Sequence, residues 1–432
     1  PVLLGGPPHC GPPPTRTLSS PARFPPPPPD PAVTLSAVDS INAFNAAEWA
    51  RLGGTARGSE GATAAISYNP FVSHAFLSAL EDSGCVSAKT GWMPRHLRLD
   101  APDGSLAGAV PLYVKSHSQG EYVFDHGWAD AYERAGGRYY PKLQASVPFT
   151  PATGPRLLSA AHHAAETRAT LAGGLAALTQ QLGVSSAHVT FARDEDMAAL
   201  QAAGFLRRTD QQFHFRNEGY RDYADFLDTL ASRKRKALRK EREQAVAGGI
   251  DIVGLTGADI TEAALDDFFA FYMDTGSRKW GRPYLNRQFY SLVAERMRDD
   301  ILLMMARRGG RGIAGAINFV GGDTLFGRHW GCIEHHPFLH FELCYHQAID
   351  FAIARGLKVV EAGAQGEHKL ARGYMPVTTQ SAHFIAHAGL RRAVADYLEH
   401  ERTEVERIGD MLEEHGPFRK SPKDVAQGEC DW

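Results

Sequence analysis

Two stretches of the chain repeat the same order of apolar and polar positions. Apolar residues recur at helical spacing in 69–84 and again in 262–276, and both stretches close on glycine, which commonly ends a helix. A strand-like run, a polar glycine turn and a second strand-like run follow each helix, at 96–114 and 301–321. This alternation and these turn residues predict a β-hairpin in both places.

The pattern continues in parallel after both hairpins. A longer helical segment and a short apolar strand come next, at 164–182 and 187–192 in the first copy and at 341–355 and 357–362 in the second. LQAAGFLRRTDQQFHF (200–215) then matches KLARGYMPVTTQSAHF (369–384) without gaps. Each copy therefore contains a helix, a hairpin, a third strand, a helix and two more strands. The sequence predicts a mixed α/β sheet that is built twice.

Composition sets the domain organisation. The 432 residues, 43% hydrophobic and 22% charged, suffice for two domains, predicted at 65–218 and 219–390, with a C-terminal helix and tail at 391–432. A net charge of −3 gives no global reason to expect nucleic acid or an anionic membrane. Five scattered cysteines without CxxC spacing argue against a zinc site or disulfides and fit a reducing, cytoplasmic location. The chain lacks an apolar run of about 18 residues, so no membrane span is predicted.

The beginning of the chain has a different character. Thirteen of the first 31 residues are proline, and acidic residues are absent before Asp30. Together with the glycine-rich stretch 51–64, this composition predicts a disordered leader over residues 1–64. Segments that contain Ser and Arg but lack acids are typical of transit peptides, which makes a chloroplast or mitochondrion an alternative location. A plain proline-rich tail is the other interpretation.

Six long motifs between residues 67 and 414 carry a resemblance to a known family. They are NPFVSHAFLSALEDSG (69–84), the stretch 120–158, SRKRKALRKERE (232–243), GSRKWGRPYL (276–285), HFELCYHQ (340–347) and EAGAQGEHKLARGYMPV (361–377). With the element order, they make the chain similar to the FemAB-like "peptidogalycan biosynthesis/recognition" group of the GNAT acyltransferase superfamily. The resemblance implies an α/β fold of tandem GNAT-like modules, with mixed, mainly antiparallel sheets flanked by helices and a helical C-terminal end.

The resemblance also implies an activity. Such a protein would move an acyl or aminoacyl group to the amine of a small-molecule or peptide acceptor, with acyl-CoA or aminoacyl-tRNA as co-substrate and no tightly bound cofactor. A tRNA partner is implied by the second donor, and the oligomeric state is left open. The alternative function is a non-catalytic protein that has kept the double GNAT fold and binds a peptide or a peptidoglycan-type ligand.

The phosphate-binding sequence of acyl-CoA enzymes is not found where it is expected. In GNAT enzymes an [RQ]xxGx[GA] sequence precedes a helix whose free amides bind the pyrophosphate. RRGGRG (307–312) fits the spacing but stands between two predicted strands, so a β-turn is predicted there. The sequences before the helices at 164 and 341 lack the motif. This weakens acyl-CoA as the donor and leaves both donors open.

The stretch 361–372 holds the candidate catalytic residues. In the first copy, the segment equivalent to 361–372 simply begins a predicted helix. In the second copy, glycines and charged residues follow the end of a predicted strand. Because α/β sheets usually place their sites at such strand ends, Glu361 is predicted to be the general base. The alternatives are Glu367, His368 and Glu342. Residues predicted to contact substrate in this stretch are Gln365, Lys369, Arg372 and Tyr374. A surface loop of solvated charges is the structural alternative.

Cations interleaved with aromatic residues suggest two further contact regions. Such mixtures suit an anionic substrate with a planar part. The candidates are Arg278, Lys279, Trp280, Arg282, Tyr139 and Lys142. A basic helix at 231–245 is predicted to track RNA phosphates through Arg233, Lys234, Arg235 and Arg239. Ordinary packing, and the solvated face of a linker helix, are the alternatives.

Other reaction chemistries find little support in the sequence. Four histidines, His329, His335, His336 and His340, stand near Glu334 and Glu342, but without the ligand spacing of HExxH no metal is predicted. The chain also has no GxSxG nucleophile motif. Direct transfer to a bound amine is therefore the predicted mechanism.

Overall fold

Repeated hairpins and helices build most of the protein, as the sequence pattern predicts. A computed structural model describes residues 33–57, 67–160, 162–279, 283–363 and 366–419, all of them within one unit. The strands are β1 Thr34–Val38, β2 Trp92–Pro94, β3 His96–Asp100, β4 Leu106–Val110, β5 Leu112–Lys115, β6 Lys142–Ala145, β7 Leu158–Ser159, β8 Ser186–Thr190, β9 Leu206–Arg216, β10 Ile250–Thr256, β11 Ile301–Arg308, β12 Arg311–Val320, β13 Thr324–Cys332, β14 Val359–Glu361 and β15 Met375–Ile385.

The helices flank these strands on both sides. They are α1 Ala46–Trp49, α2 His74–Asp82, α3 His126–Arg134, α4 Ala164–Gln181, α5 Asp194–Ala202, α6 Tyr223–Asp228, α7 Ser232–Ala245, α8 Glu262–Lys279, α9 Arg287–Met297, α10 Leu339–Phe341, α11 Gln347–Ala354 and α12 Ala388–Glu414. A π-helical turn, Glu342–His346, joins α10 to α11. Among the described helices, none has the length and apolar character needed to cross a membrane.

The two copies share one large sheet. Its strand order is β10-β11-β12-β13-β14-β9-β15-β8-β6-β5-β2, and a smaller sheet has the order β1-β3-β4-β7. Neighbouring strands run antiparallel except for β13 with β14 and β6 with β8, one parallel pair in each copy. The final strands are exchanged, since β9 of the first copy lies between β14 and β15 of the second. Strand pairing therefore crosses the predicted division at residue 218.

The exchange follows a local two-fold symmetry that the sequence match already contains. In the gap-free match of 200–215 with 369–384, Asp210 corresponds to Thr379. In the sheet these two residues are directly paired in the antiparallel β9–β15 ladder. A residue that pairs with its own counterpart marks the symmetry axis, which therefore passes between β9 and β15. Equivalent glycines, Gly204 and Gly373, precede the two strands with φ of 90° and 84°, a conformation that favours glycine.

The predicted hairpins are confirmed, with one correction to a helix end. β3 pairs with β4 and β11 pairs with β12, and RRGGRG forms the turn of the second hairpin. Helix α8 does not end at Gly276 but continues to Lys279. A Cβ at Gly276 would lie 2.5 Å from the Pro283 ring. This glycine therefore permits close packing and does not stop the helix.

Residues 33–57 correct part of the predicted disordered leader. β1 pairs with β3, and Ile41, Trp49 and Leu52 are fully buried in the core. The indole nitrogen of Trp49 donates a hydrogen bond to the Val72 carbonyl at 2.8 Å. Apolar residues at 41–52 therefore outweigh the glycines that follow them. Residues 1–32 and 58–66 lie outside the described residues, and the transit-peptide hypothesis for them stays a prediction.

Substitution of Trp49 by Ala tests whether this segment belongs to the core. Loss of a fully buried indole should lower the free energy of unfolding by about 3–5 kcal/mol, because a cavity replaces it. Tyr397→Ala, at a half-exposed aromatic, is the control and should change stability much less. Chemical denaturation measures both variants. Equal small effects would show that residues 33–57 contribute little to the fold.

Candidate functional site

The parallel strands β13 and β14 separate and leave a gap in the sheet. They pair only from Thr324–Val359 to Phe326–Glu361, while β13 continues to Cys332 beside β12. Beyond Phe326, none of the described strands pairs with β13 on the β14 side. The gap therefore opens at the carboxyl ends of both strands, and Glu361 lies at its edge.

Apolar packing distinguishes two faces of the sheet at this gap. The front face, with Ile317, Phe319 and Phe326, packs against α2, α8 and α9. The back face, with Ala316, Leu325 and Val360, packs against the α10–α11 helices. Because neighbouring residues of a strand point to opposite faces, Glu361 next to Val360 points to the front face.

A β-bulge directs two consecutive side chains of β13 to the front face. Asn318 pairs with Gly327 and Ile317 with His329, which leaves Arg328 as the extra residue. The Arg328 guanidinium lies 5.7 Å from the Phe71 ring, and the His329 ring lies 5.1 Å from that of Tyr272. Both aromatic rings belong to the front-face core. The bulge thus brings a cation and an imidazole to the same side as Glu361.

A cavity of about 110 Å³ occupies the gap. Residues of both faces line it: Ala316, Ile317, Asn318, Gly327, Arg328, His329, Trp330, His340, Cys344, Tyr345 and Ala362. The cavity therefore connects an aromatic, histidine-containing wall on the back face with the polar group on the front face.

The Glu361 carboxyl group is buried and incompletely hydrogen-bonded. Burial raises its pKa to about 8, although a backbone hydrogen bond from Thr153 and the charges of Arg156 and Arg328 act in the opposite direction. Its Oε2 has no hydrogen-bond partner within the described chain. A carboxyl group with such a pKa exchanges a proton near neutral pH, as a general base for an amine requires.

The first copy contributes the wall that covers Glu361. Thr153 and Arg156 belong to the loop between β6 and β7, and the Phe149 carbonyl of the same loop accepts a hydrogen bond from Arg328. Gln212 of β9 holds this loop through the Pro151 carbonyl at 2.8 Å. The candidate site is therefore built by both copies.

Lys369 positions the backbone directly after Glu361. Its Nζ donates to the carbonyls of Ala362 at 2.7 Å and Gly363 at 3.0 Å, and burial lowers its pKa to about 8. The predicted contact of Lys369 with an anionic substrate group stays a prediction. In the structure its observed role is to hold the strand end that carries the candidate base.

Arg372 is part of a buried ion pair. It donates to both oxygens of Glu241 on α7, at 2.8 and 2.5 Å, and stacks over the Phe341 ring at 3.6 Å. Glu241 also bonds to His346 at 2.7 Å. The guanidinium thus fixes α7 against the back-face helices, which is a structural role that the sequence did not suggest.

The alternative bases have different surroundings. Glu342 is buried and accepts hydrogen bonds from Arg242 at 2.8 Å and from Gln347 at 2.8 Å, so its carboxylate is already paired. The His368 side chain is largely exposed, and its Nε2 lies 3.1 Å from the Tyr345 hydroxyl. Partial desolvation of the ring, together with the charges of Arg372 and Lys369, lowers its pKa. Of these two, only His368 contacts a residue of the cavity wall.

Three predicted substrate contacts lie inside the core. Tyr374 is fully buried and donates to the Tyr345 carbonyl at 3.1 Å. Tyr139 and Lys142 are also fully buried and both bond to Asp125, at 2.7 and 2.5 Å. β6, which carries Lys142, is four strands away from β14, or about 19 Å. Their positions do not support direct contact with a substrate, because protein groups already enclose them.

The remaining candidates are on the surface or outside the described residues. Arg278 is exposed at the end of α8 and donates to the Cys332 carbonyl at 3.0 Å. Arg233, Lys234 and Arg239 are exposed on α7, whereas Arg235 pairs with Asp228 at 3.0 Å. Trp280, Arg282 and Gln365, with the side chains of Lys279 and Glu367, lie outside the described residues. In the part of the chain that the structure describes, no three metal-ligating side chains come together.

Sequence reasoning missed the role of Arg328 and treated His329 only as a potential metal ligand. Both interrupt an apolar strand as the polar pair in GRHWG, which is a signal for a special position. The bulge that turns both to one face leaves no recognisable trace in the sequence.

The ion pair of Arg372 with Glu241 can be tested by Glu241→Gln. The change leaves a buried guanidinium without its counter-charge and should lower the free energy of unfolding by about 3–5 kcal/mol. Glu404→Gln removes the same charge from the exposed pair with Arg407 and should have little effect. Urea denaturation compares the two. A small loss in both would mean that the Arg372 pair is not structural.

The buried carboxyl group of Glu361 predicts a pH-dependent stability. Its raised pKa means that the folded protein keeps a proton that the unfolded chain loses near the ordinary value of 4.5. Folding stability from this group should therefore fall as the pH rises from about 4.5 to about 8. Glu361→Gln removes the effect, so the variant should gain stability relative to wild type across this window. Thermal unfolding at several pH values measures the difference, with the exposed Glu133→Gln as control. A constant difference would contradict the raised pKa.

The chain was compared with known proteins by sequence and by structure. No curated protein matches it significantly in sequence. Among solved structures it is similar to FemX (10% identity, 76% of this chain and 95% of that chain, TM-score 0.48). L-PGS from Bacillus licheniformis (9%, 72% and 91%, 0.46) and a tandem GNAT protein from the clavulanic acid biosynthesis pathway (12%, 82% and 99%, 0.42) are also similar.

The predicted fold class is confirmed by the mixed α/β architecture, with an antiparallel-rich sheet and a helical C-terminal end. Residues 40–420 match the FemAB-like family, described as peptidoglycan biosynthesis/recognition. This match covers most of the chain. The protein therefore belongs to the FemAB-like family, as the long motifs of its sequence indicate.

Proposed function

We propose that the protein transfers an acyl or aminoacyl group to a primary amine in the gap between β13 and β14. The observation that carries this proposal is Glu361, a buried carboxyl group with a free Oε2 and a pKa of about 8, which directly precedes Ala362 of the cavity wall. Membership of the FemAB-like family supports it.

The two faces of the gap suit two different substrates. The acceptor amine binds on the front face, where Glu361 points and where the loop of the first copy forms a wall. The donor approaches from the back face, along Trp330, His340 and Tyr345. Their reacting groups then meet inside the gap, which brings the amine and the carbonyl together without a covalent enzyme intermediate.

In the transfer step the amine nitrogen forms a bond to the carbonyl carbon of the donor. Glu361 accepts the proton that the attacking nitrogen loses, and the bond from the carbonyl carbon to the leaving oxygen or sulfur breaks. The leaving group takes up a proton, so that charge and atoms balance. An amide of the acceptor is the product.

Aminoacyl-tRNA is the donor that the surroundings of the gap favour. Helix α7 presents Arg233, Lys234 and Arg239 to solvent. Through Glu241 and Arg242 it also packs on the back-face helices, beside the proposed donor side. A basic helix face of this kind suits a nucleic-acid backbone. RRGGRG, which has the spacing of the phosphate-binding sequence of acyl-CoA enzymes, forms a hairpin turn.

Thermal unfolding with each donor tests this function. A ligand at about 100 times its Kd adds roughly 2.7 kcal/mol of stability. We expect a shift with aminoacyl-tRNA and a smaller one with acyl-CoA. Arg233→Gln/Lys234→Gln/Arg239→Gln should weaken tRNA binding and flatten its salt dependence. The control carries the same charge change at other exposed positions, Lys89→Gln/Arg134→Gln/Arg392→Gln, and should bind as wild type.

Product formation by mass spectrometry completes this test. With the preferred donor and an amine, Glu361→Gln should lower kcat by about 10²- to 10⁴-fold while donor binding persists. Unchanged kcat would remove Glu361 as the base. Donor binding without any transfer in wild type would instead favour a binding protein, and a response to acyl-CoA alone would reject the tRNA donor.

A further inference from the structure

We propose that the acceptor carries an α-amino-carboxylate group, whose carboxylate binds Arg328 while its amino group lies against Glu361. The proposal rests on the function above and specifies the acceptor class. It assigns to Arg328 the selection of acceptors and not a part in the chemical step.

Arg328 is a partly buried cation that lacks an acidic partner. Within the described residues, no carboxylate oxygen lies within the 4.0 Å of an ion pair from its guanidinium. Its hydrogen bonds go to the Phe149 carbonyl and the Tyr122 hydroxyl, both neutral groups. Burying a charge is costly unless an opposite charge compensates it. A ligand carboxylate would supply that charge, and the planar guanidinium binds carboxylates with two parallel hydrogen bonds.

Glu361 supplies a carboxyl group on the same face of the gap. It is the acidic side chain whose charge acts on Arg328, yet the two form no direct ion pair. Its Oε2 and the Nδ1 of His329 are buried atoms without a hydrogen-bond partner in the described structure. Each of these atoms can accept a hydrogen bond from an ammonium group, Nδ1 in the tautomer that carries its proton on Nε2. The cation and the two acceptors thus form a complementary frame for a zwitterion.

The size of the cavity limits what binds between these groups. The cavity volume of about 110 Å³ leaves room only for a compact group. Either a small free amino acid or the amino-carboxylate end of a larger molecule therefore fits.

Acceptor binding can be measured without a donor. Isothermal titration of the full chain would compare alanine with ethylamine and propionate, which each lack one of the two charges. We expect alanine to bind at least tenfold more tightly than either. Nε-acetyl-lysine distinguishes the two sources: binding as tight as alanine indicates the end of a larger molecule, and much weaker binding indicates a free small amino acid.

Variants of Arg328 provide the decisive comparison. Arg328→Gln should weaken the binding of alanine at least tenfold and leave the binding of ethylamine unchanged. Arg311→Gln, at an exposed arginine in the hairpin turn, is the matched control and should bind as wild type. If Arg328→Gln does not fold, Arg328→Lys is the second variant. It retains the charge but lacks the planar guanidinium, so it should weaken the binding of alanine but not that of ethylamine.

The outcomes separate this proposal from the proposed function. Equal binding of alanine and ethylamine, or unchanged alanine binding in the folded Arg328 variant, would overturn the assignment. Efficient transfer to ethylamine would do so too, while leaving the transferase function intact. Tight, Arg328-dependent binding of alanine without any transfer would support the assignment and contradict the transferase.

Discussion

The antiparallel pairing of β9 with β15 is the interaction on which the rest of this structure depends. It joins the final strands of two similar copies around a local two-fold axis and makes one sheet of both. Because β9 then lies beside β14, the first copy borders the strand that carries Glu361. Without this exchange, the loop from Phe149 to Arg156 would not lie against the Glu361 carboxyl group. The site is a product of the duplication.

The two copies have specialised in different ways at equivalent strand ends. In the second copy, β13 bulges and separates from β14, so that a cavity crosses the sheet beside Glu361. In the first copy, the region of the corresponding strand β6 contains Lys142, Glu121 and Asp125 in a fully enclosed ionic cluster. Removing one member of such a buried cluster would leave an uncompensated charge, so its members depend on one another. Buried charges that face a cavity without partners are instead available to a ligand.

Sequence analysis was most successful where local patterns decide structure. The hairpins, α5, α7 and the Glu361 strand end follow from periodicity and from glycine positions. It failed where tertiary packing overrides the local signal. Residues 33–57 fold because Trp49 contacts the core, and Gly276 lies inside α8 with the Pro283 ring packed close to its backbone. The sequence alone suggests that Lys142 and Tyr374 can contact a substrate, but the folded chain buries both side chains completely.

By itself the sequence determined the fold class, the duplication and the place of Glu361, because alternation, turn residues and the internal match are local properties. The exchange of β9 and β15, the bulge at Arg328 and the pairing of Arg372 with Glu241 were decided only by the tertiary structure. Each of these joins residues that are distant in the chain or depends on register with a neighbouring strand. The sequence does not show which charged side chains pair with one another. Only the folded structure distinguishes the charges that are paired from those beside the cavity.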